Sequence, residues 1–238
     1  MNHMANDLTY LIRKTVDRDT ILRQGLARSL ISPRALASYI MKIYPEKQLN
    51  VEALRTAIRR MADEFKEVQD YQNHSCKFIK DAKIHLRSGI VKIAFLKGDA
   101  SLELINSSIK ALEIYGGDTF RVTKGQKILH VLVDEDNLDK IKNVFSERIL
   151  EIEKDVVEFI VILPKESYVE YGIWAPFINE IAINKISLVD TFSCATEISI
   201  FVKERDRQKT FNVLEDMIER AKKTFIEKSE PKKEVKKK

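Results

Sequence analysis

The sequence predicts an α+β protein in which a helical N-terminal third precedes two copies of one βαββα unit. Two observations carry that prediction. Apolar residues recur at three- and four-residue steps through the first third, then fall into short strand-like runs alternating with helical stretches from residue 90 onward. Sliding the chain along itself by 69 residues lays Val131–Phe145 on Ile200–Leu214, and five of those fifteen positions agree: Val133 with Val202, Glu135 with Glu204, Lys140 with Lys209, Asn143 with Asn212 and Val144 with Val213. The expected boundaries are a helical module over 1–80, a first repeat over 84–152, a second over 153–226 and a disordered Lys-rich tail over 227–238.

Three helices are expected in the N-terminal third. The first runs from about Asp19 to Leu30, with Ile21, Leu22, Gly25, Leu26 and Leu30 on its apolar stripe. Ser32 followed by Pro33 reads as an N-cap and a first-turn proline, and opens a second helix from Arg34 to about Tyr44. Pro45 stops it. Asn50 is the next N-cap, for a helix from Val51 to about Glu67 that turns Leu54, Ala57, Ile58, Met61 and Phe65 inward. Lys77-Phe78-Ile79 and Lys83-Ile84-His85-Leu86 have strand character, either as a wing or as the connector to the next domain. This arrangement resembles a winged helix-turn-helix, whose last helix enters the major groove of duplex DNA. Arg55, Thr56, Arg59, Arg60 and Asp63 lie on the outward face of the third helix, and Arg34 lies at the start of the second. The resemblance implies DNA contacts from Arg34, Arg55, Thr56, Arg59 and Arg60, since guanidinium groups suit phosphates and guanine edges. The alternative is a solvated helix face on a module that mediates protein contacts.

In the first repeat, Ile90–Leu96 is a strand, Ser101–Tyr115 a helix with Leu102, Ile105, Ile109 and Leu112 on one face, Thr119–Thr123 and Lys127–Asp134 two strands, and Asp136 to Ile149 a helix. The second follows the same order: strand Val157–Leu163, helix Gly172–Ile183, strands Lys185–Phe192 and Thr196–Lys203, and helix Asp206–Phe225. A unit of this order, hiding one face of an antiparallel sheet under helices, follows the ferredoxin-like plan. The stretches Tyr171–Ile181, Asn184–Val189 and Thr196–Val202 resemble successive segments of the ACT domains, the amino-acid-sensing modules attached to aspartokinases and related enzymes. Tyr171 replaces the proline that usually precedes the glycine of this loop, and the first repeat carries Lys97-Gly98-Asp99-Ala100 in its place. The resemblance implies a small amino-acid effector held by Gly172, Ile173, Trp174, Asn184 and Ile186. A glycine admits close approach of the loop, and a helix start offers N–H groups to a carboxylate. It also implies pairing of the repeats, within one chain or across a homo-oligomer. The bland readings are a turn glycine, a packed aromatic and a helix C-cap. The whole layout resembles a group of small archaeal regulators.

Charge is unevenly spread. Residues 1–75 carry 12 Lys and Arg against 9 Asp and Glu, and hold eight of the fourteen arginines. Residues 76–226 carry 23 basic against 24 acidic side chains, so an anionic polymer, if bound, belongs to the first third. No glycine spacing makes a phosphate cradle, no His, Cys or acidic grouping makes a metal set, and no nucleophile motif occurs. Asp134-Glu135-Asp136 reads as acids at a helix start. Neither an enzyme nor a cofactor is expected. Cys76 and Cys194 are expected to be buried, reduced thiols. With no apolar run long enough to cross a bilayer and no secretory pattern at the start, a cytoplasmic location without membrane contact is expected. The function expected is that of an amino-acid-responsive regulator acting on DNA. The alternative is a regulatory subunit or interaction protein that acts on an amino-acid biosynthetic enzyme without binding DNA.

Overall fold

The computed structural model describes residues 2–66, 70–96, 106, 110, 119–145 and 149–229, and divides into two compact units, Met1–Ser75 and Cys76–Lys238. The first unit holds α1 (Asn2–Val16), α2 (Thr20–Ala27), α3 (Pro33–Ile43) and α4 (Val51–Lys66). Side-chain acceptors fix three of their starts. Asp19 accepts from the Ile21 and Leu22 N–H groups, Ser32 from Ala35, and Asn50 from Glu52 and Ala53, each at 2.8–3.1 Å. Their apolar stripes meet in one core of Ile12, Val16, Leu26, Leu36, Ala37, Ile40, Leu54, Ile58 and Met61. The helix α1 is an addition to the expected trio. It begins with no acidic first turn, so its N-terminus gave no local signal, yet Ile12 and Val16 bury one turn apart.

The boundary between the units falls inside α5 (Asp70–Ile79). This corrects the expected strand at Lys77-Phe78-Ile79. Ser75, Phe78 and Ile79 are all buried, and that spacing is helical. Lys83-Ile84-His85-Leu86 does form strand, but as the opening of β1 (Lys83–Leu96) in the sheet of the second unit. The two segments considered for a wing are therefore a helix and a sheet strand.

The second unit contains one antiparallel sheet of six strands in the order β2-β3-β1-β4-β6-β5, with β2 at Phe120–Lys124, β3 at Ile128–Asp134, β4 at Ile149–Ile162, β5 at Leu188–Cys194 and β6 at Glu197–Lys203. Among the described residues it is accompanied by α6 (Leu138–Phe145), α7 (Ala175–Ile183) and α8 (Arg207–Ser229). Strand registers repeat. Ile90 stands opposite Asp134 as Val156 stands opposite Lys203, and Arg121 opposite Leu132 as Asp190 stands opposite Phe201. The expected helix Ser101–Tyr115 and the Lys97–Ala100 loop lie outside the described residues, apart from residues 106 and 110, which are helical.

Both central strands are twice as long as the sequence suggested. The first half of β1 pairs with the second half of β4, from Lys83 opposite Ile162 to Arg87 opposite Glu158, and the remaining halves pair from Ile90 opposite Val156 to Phe95 opposite Ile149. Gly89 (φ +73°), between these stretches, and Asp155 (φ +57°), next to Val156 in the second, take left-handed backbone, and the register shifts beside each. Ile149 thus opens a strand instead of closing a helix, and Asp136–Asn137 belong to a short 3₁₀ turn before α6. Asp134 does not cap that turn; its Oδ2 accepts from the Thr119 N–H at 2.8 Å. Helix α8 continues to Ser229, so residues 227–229, expected as disordered tail, are helical, and 230–238 lie outside the described residues.

One face of the sheet buries Val91, Ile93, Phe95, Leu129, Val131 and Val133 against Leu138 and Ile141 of α6. On the second repeat, Val157, Phe159, Val161, Ile198, Ile200 and Val202 pack with Phe177 and Ile181 of α7, Leu214, Met217 and Ile218 of α8, and Phe78 and Ile79. Apolar alternation along each strand produces this face. The opposite face curls onto itself around Ile90, Leu132, Val156 and Phe201, with Val189 and Phe192 of β5 against them. Curling lets edge strands reach across: Lys92 Nζ of β1 lies 3.1 Å from Asp190 of β5, and Arg121 Nη2 of β2 lies 3.3 Å from the fully buried Glu158 of β4. Cys194 is exposed at the end of β5 and Cys76 is half-buried, which corrects the expectation of two buried thiols.

Candidate functional site

The loop between β4 and α7 is built by local constraints. Pro164 follows β4, a 3₁₀ turn occupies Lys165–Val169, and Gly172 takes φ +70°, a conformation that a β-carbon strains. The expected helix start at Gly172 is therefore displaced to Ala175, because left-handed backbone cannot continue an α-helix. Trp174 stands at the N-cap position without a capping side chain, and Pro176 lies in the first turn. The first-turn N–H groups consequently have no side-chain acceptor from the cap residue. Tyr168, Val169 and Tyr171 are exposed around this loop.

The five residues expected to hold an effector divide into two kinds. Gly172 and Trp174 lie in the loop, with the Trp174 ring 6.2 Å from that of Phe177. Asn184 ends α7, where its Nδ2 donates to the Glu180 carbonyl at 2.9 Å and its N–H to the same carbonyl at 3.1 Å. Ile173 and Ile186 are buried members of the core beneath α7 and α8. Both residues are nearly closed to solvent, at 4% and 5% exposed. Sequence reasoning missed Ser167, which is 4% exposed and whose Oγ has no hydrogen-bond partner among the described residues. A buried hydroxyl without a partner is costly, by about 1–3 kcal/mol, so it marks a place where an acceptor or donor is wanted. A serine in a Pro-Lys-Glu-Ser turn gives no sign of this beforehand.

In the helical unit, Arg34 is exposed in the first turn of α3, and Arg59 and Arg60 are exposed on α4. Arg55 differs from them. Its Nη1 donates to both carboxylate oxygens of Glu52, at 2.6 and 2.8 Å, which partly neutralises it. The Thr56 hydroxyl donates to the Glu52 carbonyl at 3.0 Å and is satisfied within its own helix. Asp63 has no described side chain. Among the described residues no cluster of three or more His, Cys, Asp or Glu could hold a metal ion, and no helix is long and apolar enough to cross a membrane.

No protein-family model matches the chain, and no curated protein matches it. Among solved structures, the chain is similar to one assigned as the C-terminal regulatory domain of aspartate kinase from Porphyromonas gingivalis W83, at 18% identity and a TM-score of 0.46, over 58% of this chain and 96% of that one. It is similar to the ligand-free regulatory subunit of aspartate kinase from Thermus thermophilus at 12% identity and a TM-score of 0.45, over 56% and 95% of the two chains. Clostridium acetobutylicum aspartate kinase aligns at 14% identity and a TM-score of 0.48, over 57% of this chain and 34% of that enzyme.

Proposed function

We propose that the chain is a non-catalytic, cytoplasmic regulator that senses a small amino acid through its second repeat. The observation that carries this reading is the loop at the start of α7, where a left-handed Gly172, uncapped first-turn N–H groups and the unpartnered Ser167 hydroxyl occur within eleven residues of chain. A carboxylate is the ligand such N–H groups suit. Gly172, Ile173, Trp174, Asn184 and Ile186 form the proposed site, the two isoleucines through backbone atoms. The domain limits proposed are 1–80, 84–152 and 153–226, with self-association through the repeats. Thermal unfolding of the full chain against each of the twenty amino acids tests the reading, because a ligand of the native state raises the melting temperature. At a hundredfold excess over Kd the stabilisation is about 2.7 kcal/mol. Gly172→Val, which strains a φ of +70°, is expected to abolish the shift. A chain that no amino acid stabilises, or a Gly172→Val variant that shifts like wild type, overturns it.

The helical unit is proposed to act on duplex DNA through Arg34, Arg55, Thr56, Arg59 and Arg60, as a helical module without either of the wing segments first considered. Exposed arginines there supply phosphate contacts. A second reading has a specific observation in its favour. Arg55 and Thr56 are already engaged by Glu52, which suits a protein-docking helix on a regulatory subunit for an amino-acid biosynthetic enzyme. Arg59→Glu with Arg60→Glu separates the two. Salt-sensitive retention of duplex DNA by the wild type, lost in the variant, supports the first; no retention by wild type at low salt supports the second.

A further inference from the structure

The concave face of the sheet carries two three-residue rows that are equivalent by register but opposite in charge. In the first repeat Leu132 stands between Arg121 on one side and Lys92 on the other, giving a basic, apolar, basic row. In the second, Asp190 and Glu158 flank Phe201 in the same way, giving an acidic, apolar, acidic row. The rows meet head to tail. Lys92 Nζ is 3.1 Å from Asp190 Oδ2 and also donates to the Val189 carbonyl at 2.8 Å. Leu132 and Phe201 share one buried cluster, and Arg121 Nη2 is 3.3 Å from Glu158 Oε1. Other groups at these contacts include His130, whose Nδ1 is 3.7 Å from Asp190, Thr119, whose hydroxyl lies 3.5 Å from Glu158, and Arg87, which stands opposite Glu158 in register and whose Nη1 donates to the Thr119 hydroxyl at 3.3 Å.

We propose that these rows are a pairing code which makes the first repeat the partner of a second-type repeat and of nothing else. Two first repeats meeting in this geometry would set Lys92 against Arg121 twice, and two second repeats would set the buried Glu158 against Asp190 twice. Like charges in a dry contact are strongly unfavourable, and an unpaired buried carboxylate is too. Identical copies can pair in this geometry only if the row is neutral or carries opposite charges at its two ends. Reversing the sign in one copy supplies the repulsive element that specificity requires.

Full-length variants test this by urea unfolding followed through Trp174, with mass measured by light scattering. Lys92→Glu and Asp190→Lys are each expected to lower the folded-to-unfolded ratio at least about tenfold, within the range for coupled neighbours. Combined as K92E/D190K they should recover to within about threefold of wild type and keep its mass. Glu158→Lys should likewise recover when joined with Arg121→Glu, which separates partner matching from the burial of a lysine. K92E/E158K exchanges the two equivalent positions and leaves net charge unchanged, yet makes both contacts like-charged. It is expected to stay at least about tenfold below K92E/D190K. Additive behaviour in either pair, or equal stability of K92E/E158K and K92E/D190K, overturns the proposal.

Discussion

Gly89 and Asp155 sit at corresponding points of β1 and β4, both in left-handed backbone, and only one of them is the residue that conformation favours. A β-carbon added at Gly89 meets nothing within 4 Å, so Gly89→Ala isolates the backbone effect. It should lower unfolding free energy by about 1–2 kcal/mol, the penalty for left-handed backbone in an L-residue. Asp155→Gly relieves strain at the twin position and should leave stability unchanged or raise it by up to about 1 kcal/mol. Urea denaturation of the two variants checks both signs. At this scale the sequence revealed some of the candidate site and concealed the rest. Gly172 and Asn184 were legible because a turn glycine and a helix-end asparagine have local uses. Ile173 and Ile186 were read as lining a ligand, but their side chains lie in the core. Whether a loop side chain points in or out depends on α7 and α8 lying over the sheet, which no local spacing records.

Helix starts were the most readable elements. Ser32 and Asn50 accept first-turn N–H groups as expected, because a cap needs only a short polar side chain two or three residues ahead of its donor. Ser32→Ala is expected to lower the stability of the helical unit by about 1 kcal/mol, read as a shifted unfolding midpoint with unchanged slope. The helix α1 lacked any such mark. The central strands were half-read for a different reason. Residues 149–155 include Glu151, Glu153, Lys154 and Asp155, which read as helix end and linker until β1, more than fifty residues earlier in the chain, pairs with them. Their charges are accommodated at the margins, with Lys154 3.1 Å from Glu135 and Lys203 3.0 Å from Glu153. Lys77-Phe78-Ile79 failed as a strand because three residues are too few to separate a period of two from one of 3.6.

For the molecule as a whole, duplication was legible from five identities in fifteen positions, whereas the closure of the sheet was not. Lys92 and Asp190 are 98 residues apart, and contact between them requires curling that no strand declares alone. Leu132 and Phe201, fully buried at the centre of that closure, are the positions where truncation should hurt most. Leu132→Ala is expected to lower unfolding free energy by about 2–5 kcal/mol and Phe201→Ala by about 3–5 kcal/mol. Ile183→Ala, at an exposed position, should stay within about 0.5 kcal/mol. Denaturant midpoints of the three variants provide the ranking. The shared central strands bear on how this fold comes apart. A protease nick anywhere between residues 97 and 148 would not free a half-molecule, since β1 and β4 stay laced together by backbone hydrogen bonds along nearly their full length. Severed pieces would co-migrate until denatured, and either piece on its own would bare an unzipped ladder of N–H and C=O groups to the solvent.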